Sequence, residues 1–133
     1  MPEVNRPQFR NIHVTELANY RLPLAGFVSI LHRISGLLLF AMLPFILFLL
    51  DSSLKTEGTF LYLSQFVQHP VVKLIILALS WAYLHHFCAG LRHLAMDLHM
   101  GLDKHSAKNS ALGVFLISIP LAGLVALKLF GVF

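Results

Sequence analysis

A short polar stripe interrupts an apolar segment near the start of the chain. Ser29, His32, Arg33 and Gly36 stand at positions i, i+3, i+4 and i+7, so a helix would carry all four on one face. A hydroxyl and a guanidinium group one turn apart can donate to a carbonyl oxygen and stabilise negative charge that develops on it. Reduction of a quinone headgroup requires such donors. The simpler alternative is that Arg33 marks the cytoplasmic end of a membrane span and Ser29 bonds its own helix.

A second polar stripe lies further along the chain. Tyr83, His86, Gly90, His93 and Asp97 recur at spacings of three or four residues, which places them on one helix face. A neutral histidine in apolar surroundings gains most when a metal partners its ring nitrogen. Haem iron fits, because Gly90, one turn away, leaves room for a flat macrocycle. The stripe therefore predicts His86 as a haem ligand; the alternative is that His86 bonds a neighbouring helix.

The depth of His86 supports the metal hypothesis. His86 precedes Arg92 by six residues, which is about 9 Å along a helix, and imidazole is too short to reach the interface from there. His85, about 100° around the helix, is a rival ligand. Asp97 either relays protons to the site or pairs with a basic neighbour. Four basic side chains beside the stripes are candidates for contact with haem propionates. They are His32, Arg33, Arg92 and His93.

The composition shows which elements must carry these stripes. The chain has 133 residues, of which 57% are hydrophobic and 12% charged, and its mean hydropathy is +0.76. Such values are typical of membrane proteins. Residues 34–50, 74–91 and 109–127 lack Asp, Glu, Lys and Arg, and lipid satisfies no backbone hydrogen bonds, so these stretches must be helical. We predict an all-α integral membrane protein. Its three transmembrane helices are expected at about residues 24–50, 71–93 and 109–131.

Charges outside the spans predict the orientation of the chain. The loop at 51–69 carries one lysine and two acids, whereas residues 1–23 and the loop at 92–108 are rich in arginine and lysine. By the positive-inside rule, the N terminus is cytoplasmic and the C terminus lies outside. We expect residues 1–23 to form a polar cytoplasmic arm and residues 24–133 to form a three-helix transmembrane domain.

The number of spans indicates a subunit rather than a complete machine. Three helices enclose little space for an arginine and several histidines, so partner helices should complete the bundle. The single cysteine, Cys88, excludes an intrachain disulfide and leaves no cysteine pair for an iron–sulfur cluster. The net charge of +4 is attributed to cytoplasmic loops rather than to nucleic-acid binding. An ion channel built from His32, His86 and Asp97 is an alternative, but the third span lacks a continuous polar face.

Two sequence strings carry a resemblance to a known family. They are SILHRISG at residues 29–36, which follows an Arg–Pro pair at Arg6 and Pro7, and HFCAGLRHLAMD at residues 86–97. The second string closes the second of three spans with a histidine, a glycine one turn later, an Arg–His pair and an aspartate. In motif order, span number and length, nearly the whole chain resembles the cytochrome b membrane-anchor subunit of succinate dehydrogenase, which is respiratory complex II.

The resemblance implies roles for individual residues. His86 would be an axial ligand of the iron in a b-type haem, and a second small membrane-anchor subunit would supply the other ligand. Ser29 and Arg33 would line the ubiquinone pocket, which the iron–sulfur subunit and the second anchor would complete. His32 would lie beside the haem propionates. The adjacent His85 leaves the choice of ligand open.

The resemblance also implies an activity for the whole complex. Succinate would be oxidised at FAD on a flavoprotein subunit, electrons would pass through iron–sulfur clusters on another, and ubiquinone would be reduced at the anchor. This step links the citric acid cycle to the respiratory electron-transport chain. The chain alone would have no activity. A haem-free or fumarate-reductase-type anchor is the alternative. The arm resembles no transit peptide, which favours a bacterial inner membrane over a mitochondrial one.

Overall fold

The computed structural model describes residue 15 and residues 21–132. These residues contain four α-helices and no strand: α1 (Leu24–Lys55), α2 (Glu57–Val67), α3 (Pro70–Asp97) and α4 (Lys104–Leu129). Helices α1, α3 and α4 are long and apolar enough to cross a membrane, with mean hydropathies of 2.3, 1.6 and 2.3 over 18 residues. The prediction of an all-helical chain with three spans is confirmed. Most of the polar arm, including Arg6 and Pro7, lies outside the described residues.

The helices and the predicted spans differ at their ends. Charges show where lipid contact stops, whereas a helix ends where its backbone hydrogen bonds stop, so helices can continue into the polar region. Helices α1 and α3 continue past the predicted spans, to Lys55 and Asp97, and α4 covers Lys104–Leu129 where the charges indicate 109–131.

Helix α2 occupies the segment that the charges predict as a plain loop at 51–69. Thr56 has an extended backbone, with φ of −148° and ψ of 155°, which ends α1. Its hydroxyl accepts from the Thr59 amide at 3.1 Å, and the Thr59 hydroxyl accepts from the Thr56 amide at 3.2 Å. This capping box starts the new helix. The Thr59 hydroxyl also lies 2.7 Å from the Ser52 carbonyl, which ties α2 back to α1.

A tight turn joins α3 to α4. His99 and Gly101 adopt left-handed backbone angles, with φ of 61° and 67°, and reverse the chain within a few residues. The Asp103 carboxylate then caps α4 by accepting from the amides of His105 and Ser106 at 3.1 and 2.9 Å. Hydrogen bonds from the Ser106 side chain and backbone lower the pKa of Asp103, so the cap stays ionised at neutral pH.

The core is narrow and built from small side chains. Helix α3 packs against both α1 and α4. The buried residues at these contacts include Val28, Ser35, Ala82, Ala89, Ala111, Val114, Ser118 and Ala122. Small residues let helix backbones approach closely, which is how helices associate in lipid, where burying apolar surface gains little. Large apolar side chains point outward instead; Phe40, for example, is 76% exposed.

A buried arginine joins α3 to α4. Arg92 is 8% exposed, and it donates from Nε to the Ser110 hydroxyl at 3.0 Å and from Nη2 to the Ala107 carbonyl at 3.4 Å. The guanidinium group is thus directed to α4 in this structure, and contact of Arg92 with haem propionates stays a prediction. The spacing of residues along α3 could not reveal this partner, because the partner belongs to another helix.

Replacing Arg92 with alanine should loosen the contact between α3 and α4. Hydrogen bonds made by a charged group contribute about 1.5–3 kcal/mol, so the Tm of the purified protein should fall by several degrees. Lys108→Ala removes the same charge from an exposed position on α4 and should leave the Tm nearly unchanged. Equal Tm values for the two variants would show that Arg92 has no such role.

Candidate functional site

The two polar stripes face each other across the contact between α1 and α3. The ring of His32 on α1 stacks on the ring of His86 on α3, with centroids 4.2 Å apart and planes 13° apart. The His93 ring lies 5.0 Å from the His32 ring at 41°. The structure thus brings together three of the histidines that the spacing selects. All three are half-buried rather than enclosed.

The orientation of the His86 ring is set by the backbone of α1. Its Nδ1 atom lies 3.0 Å from the His32 carbonyl oxygen and 3.2 Å from the Ser35 hydroxyl. Because a carbonyl only accepts, Nδ1 is the donor in this contact, which leaves Nε2 as the ring nitrogen available to a ligand. Nε2 bonds no residue that the structure describes. The site therefore presents one free, oriented imidazole nitrogen.

Ser35 is a residue of this site that sequence reasoning missed. Its side chain is 6% exposed, and its hydroxyl donates to the His32 carbonyl at 2.9 Å while touching His86 Nδ1. A serine that bonds the preceding turn of its own helix is the structural alternative that the sequence analysis gives for Ser29. In the structure Ser35 makes such a bond. The available signal was the position of Ser35, three residues after His32 and directly before Gly36.

Glycine on α1 makes the close approach of the His86 ring possible. A Cβ atom added at Gly36 would lie 2.8 Å from His86 Cε1 and 3.3 Å from Nδ1, which is too close for an unchanged ring. A Cβ at Gly90 would lie 3.7 Å from His32 Nε2, an ordinary contact. The tight position is thus Gly36, whereas the clearance for a macrocycle that the sequence assigns to Gly90 stays a prediction.

The remaining predicted residues form no hydrogen bond or ion pair with these histidines within residues 21–132. Arg33 is exposed, and Ser29, one turn earlier, is half-buried. Asp97, the last residue of α3, is exposed. Within residues 21–132 the carboxylate that forms an ion pair is Asp51, which lies 2.6 Å from Lys55. The suggested pairing of Asp97 with a basic neighbour is therefore absent from the described part of the chain.

The rival histidine, His85, lies in a different environment. Its side chain is 1% exposed, and its ring lies 5.5 Å from Trp81 and 5.4 Å from Phe115, measured between centroids. Neither ring nitrogen has a hydrogen-bond partner among the described residues. A flat ligand could reach His85 only by separating α3 from its neighbours, whereas His86 lies at the edge of the helix contact.

These features define a class: an all-helical membrane protein that holds an oriented histidine between two of its spans. The chain belongs to the succinate dehydrogenase/fumarate reductase transmembrane subunit family, whose model matches residues 5–125. This membership confirms the resemblance that the two strings carry.

Individual relatives agree with the family. A protein of Coxiella burnetii named succinate dehydrogenase cytochrome b556 subunit is 37% identical over 112 residues, covering 81% of this chain and 90% of the relative. Proteins with the same name from Paracoccus denitrificans and Rickettsia felis are 33% and 31% identical. They cover 95% and 82% of this chain, and 93% and 85% of their own lengths.

Gly36→Ala should destabilise the contact between α1 and α3. In most helix interiors this change is favourable by about 1 kcal/mol through helix propensity. At Gly36 the new methyl group would displace the His86 ring, so we expect a lower Tm. Gly113→Ala on α4 is the matched control, because a Cβ there meets nothing within 4 Å, and its Tm should stay equal or rise. A rise in both variants would contradict the close approach.

Proposed function

We propose that this chain is the haem-binding membrane anchor of a succinate dehydrogenase and helps to form its ubiquinone-reduction site. The observation that carries the proposal is the orientation of His86, whose Nδ1 proton is directed to the His32 carbonyl while Nε2 stays free. A histidine that ligates a metal usually donates its other ring N–H to such a carbonyl, which fixes its tautomer and raises its basicity. The family and the names of the relatives agree with this chemistry.

The set of donors fits haem better than a metal ion held by the protein alone. Within the described residues, no group of three or more His, Cys, Asp or Glu side chains could hold a metal ion. A porphyrin brings its own four nitrogens and needs few ligands from protein, one of which His86 would supply. When bound, haem iron supplies a one-electron carrier near the site of quinone reduction. We assign the other protein ligand of the iron to the second membrane anchor.

Polar groups around His86 are proposed to hold the haem propionates. His32 and His93 neighbour His86 through ring contacts, and the exposed Arg33 follows His32 directly. A guanidinium group forms strong hydrogen bonds with carboxylates, and imidazole adds further donors. Ser35 would act indirectly, because its hydroxyl contacts both the His32 carbonyl and His86 Nδ1 and so holds the ligand in place.

Ser29 and Arg33 are proposed to bind the quinone headgroup. They are one turn apart on α1, and Arg33 makes no ion pair with another residue of the described region, so its donors are free for a ligand. Both side chains would donate to a quinone carbonyl oxygen and stabilise the negative charge that reduction places on it. The iron–sulfur subunit and the second anchor would close the pocket.

The outward apolar faces support a place within a larger complex. We assign the second anchor, the iron–sulfur subunit and the flavoprotein subunit with its FAD as partners, and we expect no activity from this chain alone. The distribution of charges supports a cytoplasmic N terminus. Both stripes would then lie in the cytoplasmic half of a bacterial inner membrane, on the side from which electrons arrive.

Exchanging His86 for phenylalanine should abolish haem binding in the assembled complex. Phenylalanine keeps the ring but removes the nitrogen ligand, so the b-type signal in a reduced-minus-oxidised spectrum should disappear or shift. His85→Phe is the control, since that ring packs between Trp81 and Phe115 and would keep the haem signal. Loss of haem from the His85 variant alone would reverse the assignment.

Arg33→Ala should impair quinone reduction without affecting succinate oxidation. Loss of one charge-stabilising donor typically lowers the rate about 10²–10³-fold, and succinate-dependent ubiquinone reduction should fall accordingly. Electron transfer from succinate to a soluble artificial acceptor should be unchanged, because that reaction does not use the anchor. Arg21→Ala, an exposed arginine just before α1, is the control and should retain both rates. Loss of both rates in an assembled Arg33 variant would contradict the assigned role.

The alternative anchor without haem makes a different prediction. If the complex assembles and reduces quinone normally without any haem signal in the wild type, the His86 site is structural. The function would then rest on membrane attachment and on Ser29 and Arg33 at the quinone site.

A further inference from the structure

A long apolar groove runs between α1 and α3 in the half of the structure that contains α2. Its volume is about 1040 Å³, and its walls come from residues 39–53 of α1, residues 60–67 of α2 and residues 72–84 of α3, with Val125 behind them. The groove starts one turn beyond Gly36 and ends at α2. The groove lies on the α2 side of the stacked histidines, and its inner end reaches Tyr83, one turn before His86. None of the residues proposed to contact haem or quinone lines it.

The lining of the groove changes in polarity along its length. Ser53, Ser64 and Gln68 line the α2 end, whereas Ser80 and Tyr83 are the polar side chains among the apolar residues further in. The span from residue 39 to residue 53 is 14 helical steps, or about 21 Å at about 1.5 Å per residue. Half of a bilayer with its headgroups is about 20–22 Å thick. The groove thus matches one leaflet, with its polar end at the membrane surface.

The connection between α1 and α3 limits what can occupy the groove. Residues 56–69 cross from the end of α1 to the start of α3, and α2 lines the groove on the way. A spanning helix of a partner protein would have to pass this connection to leave the membrane. A lipid chain ends within the leaflet and meets no such obstacle.

Charged side chains flank the α2 end of the groove without lining it. Among the described residues they include Lys55, Lys73 and Lys128 beside Asp51 and Glu57. Lys55 pairs with Asp51, and the Lys73 ammonium lies 5.8 Å from the centroid of the Phe130 ring. Lysines at the surface of a membrane attract anionic headgroups.

We propose that this groove binds an acyl chain of a glycerophospholipid from the leaflet on the α2 side. The apolar walls enclose the chain, and the phosphate lies at the level of Ser53, Ser64 and Gln68. The bound lipid fills the space between α1 and α3 where the two helices diverge. The proposal does not depend on haem or quinone binding, so it can fail while the proposed function stands, and the reverse also holds.

Photolabelling tests the site without any mutation. The intact complex is reconstituted in vesicles that contain phosphatidylethanolamine with a diazirine on one acyl chain, washed with detergent, illuminated and digested. Label retained after washing should map to residues 39–53 and 72–84 by mass spectrometry. The outward face of α4 should be labelled only when the wash is omitted, because lipid there exchanges freely.

Paired variants test whether the groove itself holds the lipid. Leu50→Trp with Ile75→Trp fills it from two walls, at positions that are each 54% exposed, so the core is not disturbed. Leu116→Trp with Ile117→Trp places the same bulk on the face of α4, at 64% and 54% exposure. Label that resists washing should be lost from the first double variant and kept in the second.

Three results would overturn the proposal. They are washing that removes all label from the groove of the wild type, equal retention in the two double variants, and crosslinks that place a partner helix or a quinone tail in the groove. Succinate-dependent quinone reduction, measured on the same samples, shows whether the complex itself is intact.

Discussion

The contact of the His86 ring with the main chain of α1 determines the geometry of the site. It needs three things at once: a carbonyl that can accept from Nδ1, a hydroxyl at Ser35 beside it, and the missing side chain at Gly36. In lipid no water competes for these groups, so one short interhelical hydrogen bond can fix the rotation of α3 against α1. The stacking of His32 on the same ring follows from that rotation. A change at any of these positions alters the ring that is proposed to meet iron.

The narrow core explains why this chain is suited to be a subunit. Apart from His85 and Arg92, the buried residues of the described chain are alanine, serine and valine, and many bulky side chains point away from the bundle. Even the histidine pair is only half-buried. Polar groups that lack hydrogen-bond partners at the edge of a bundle cost free energy in lipid unless another chain or a ligand covers them. The structure thus places its chemistry where partners can complete it, which agrees with a family of transmembrane subunits.

How much the sequence predicts depends on whether a property is local. Charges at Arg33, Asp51 and Lys108 bound the uncharged stretches from which the spans are predicted, because charge is costly in lipid, and helical periodicity then selects the faces. Partners across helices are not local. The direction of Arg92 toward α4 and the role of Ser35 depend on which helices meet and in what register, which one stripe does not encode. Helix α2 was not predicted either, because its start depends on two threonine hydroxyls rather than on hydropathy.

The neighbouring histidines were indistinguishable for the same reason. His85 and His86 differ by one position in the sequence, yet the first packs inside the bundle and the second lies at its edge. Which of the two faces inward is decided by where α4 packs on α3, and α4 begins more than ten residues later. Propensity and spacing describe one helix at a time, so they leave this choice open.

The half-buried position of His86 has a consequence for biogenesis. A histidine at the edge of a bundle would offer haem one bond and one protein surface, so the isolated subunit would be a poor haem carrier. In a complex of the proposed kind, stable cofactor insertion would then coincide with the arrival of the second anchor rather than precede it. Haem supply and the stoichiometry of the two anchors would become coupled, and an excess of either chain would remain without cofactor and be open to proteolytic quality control.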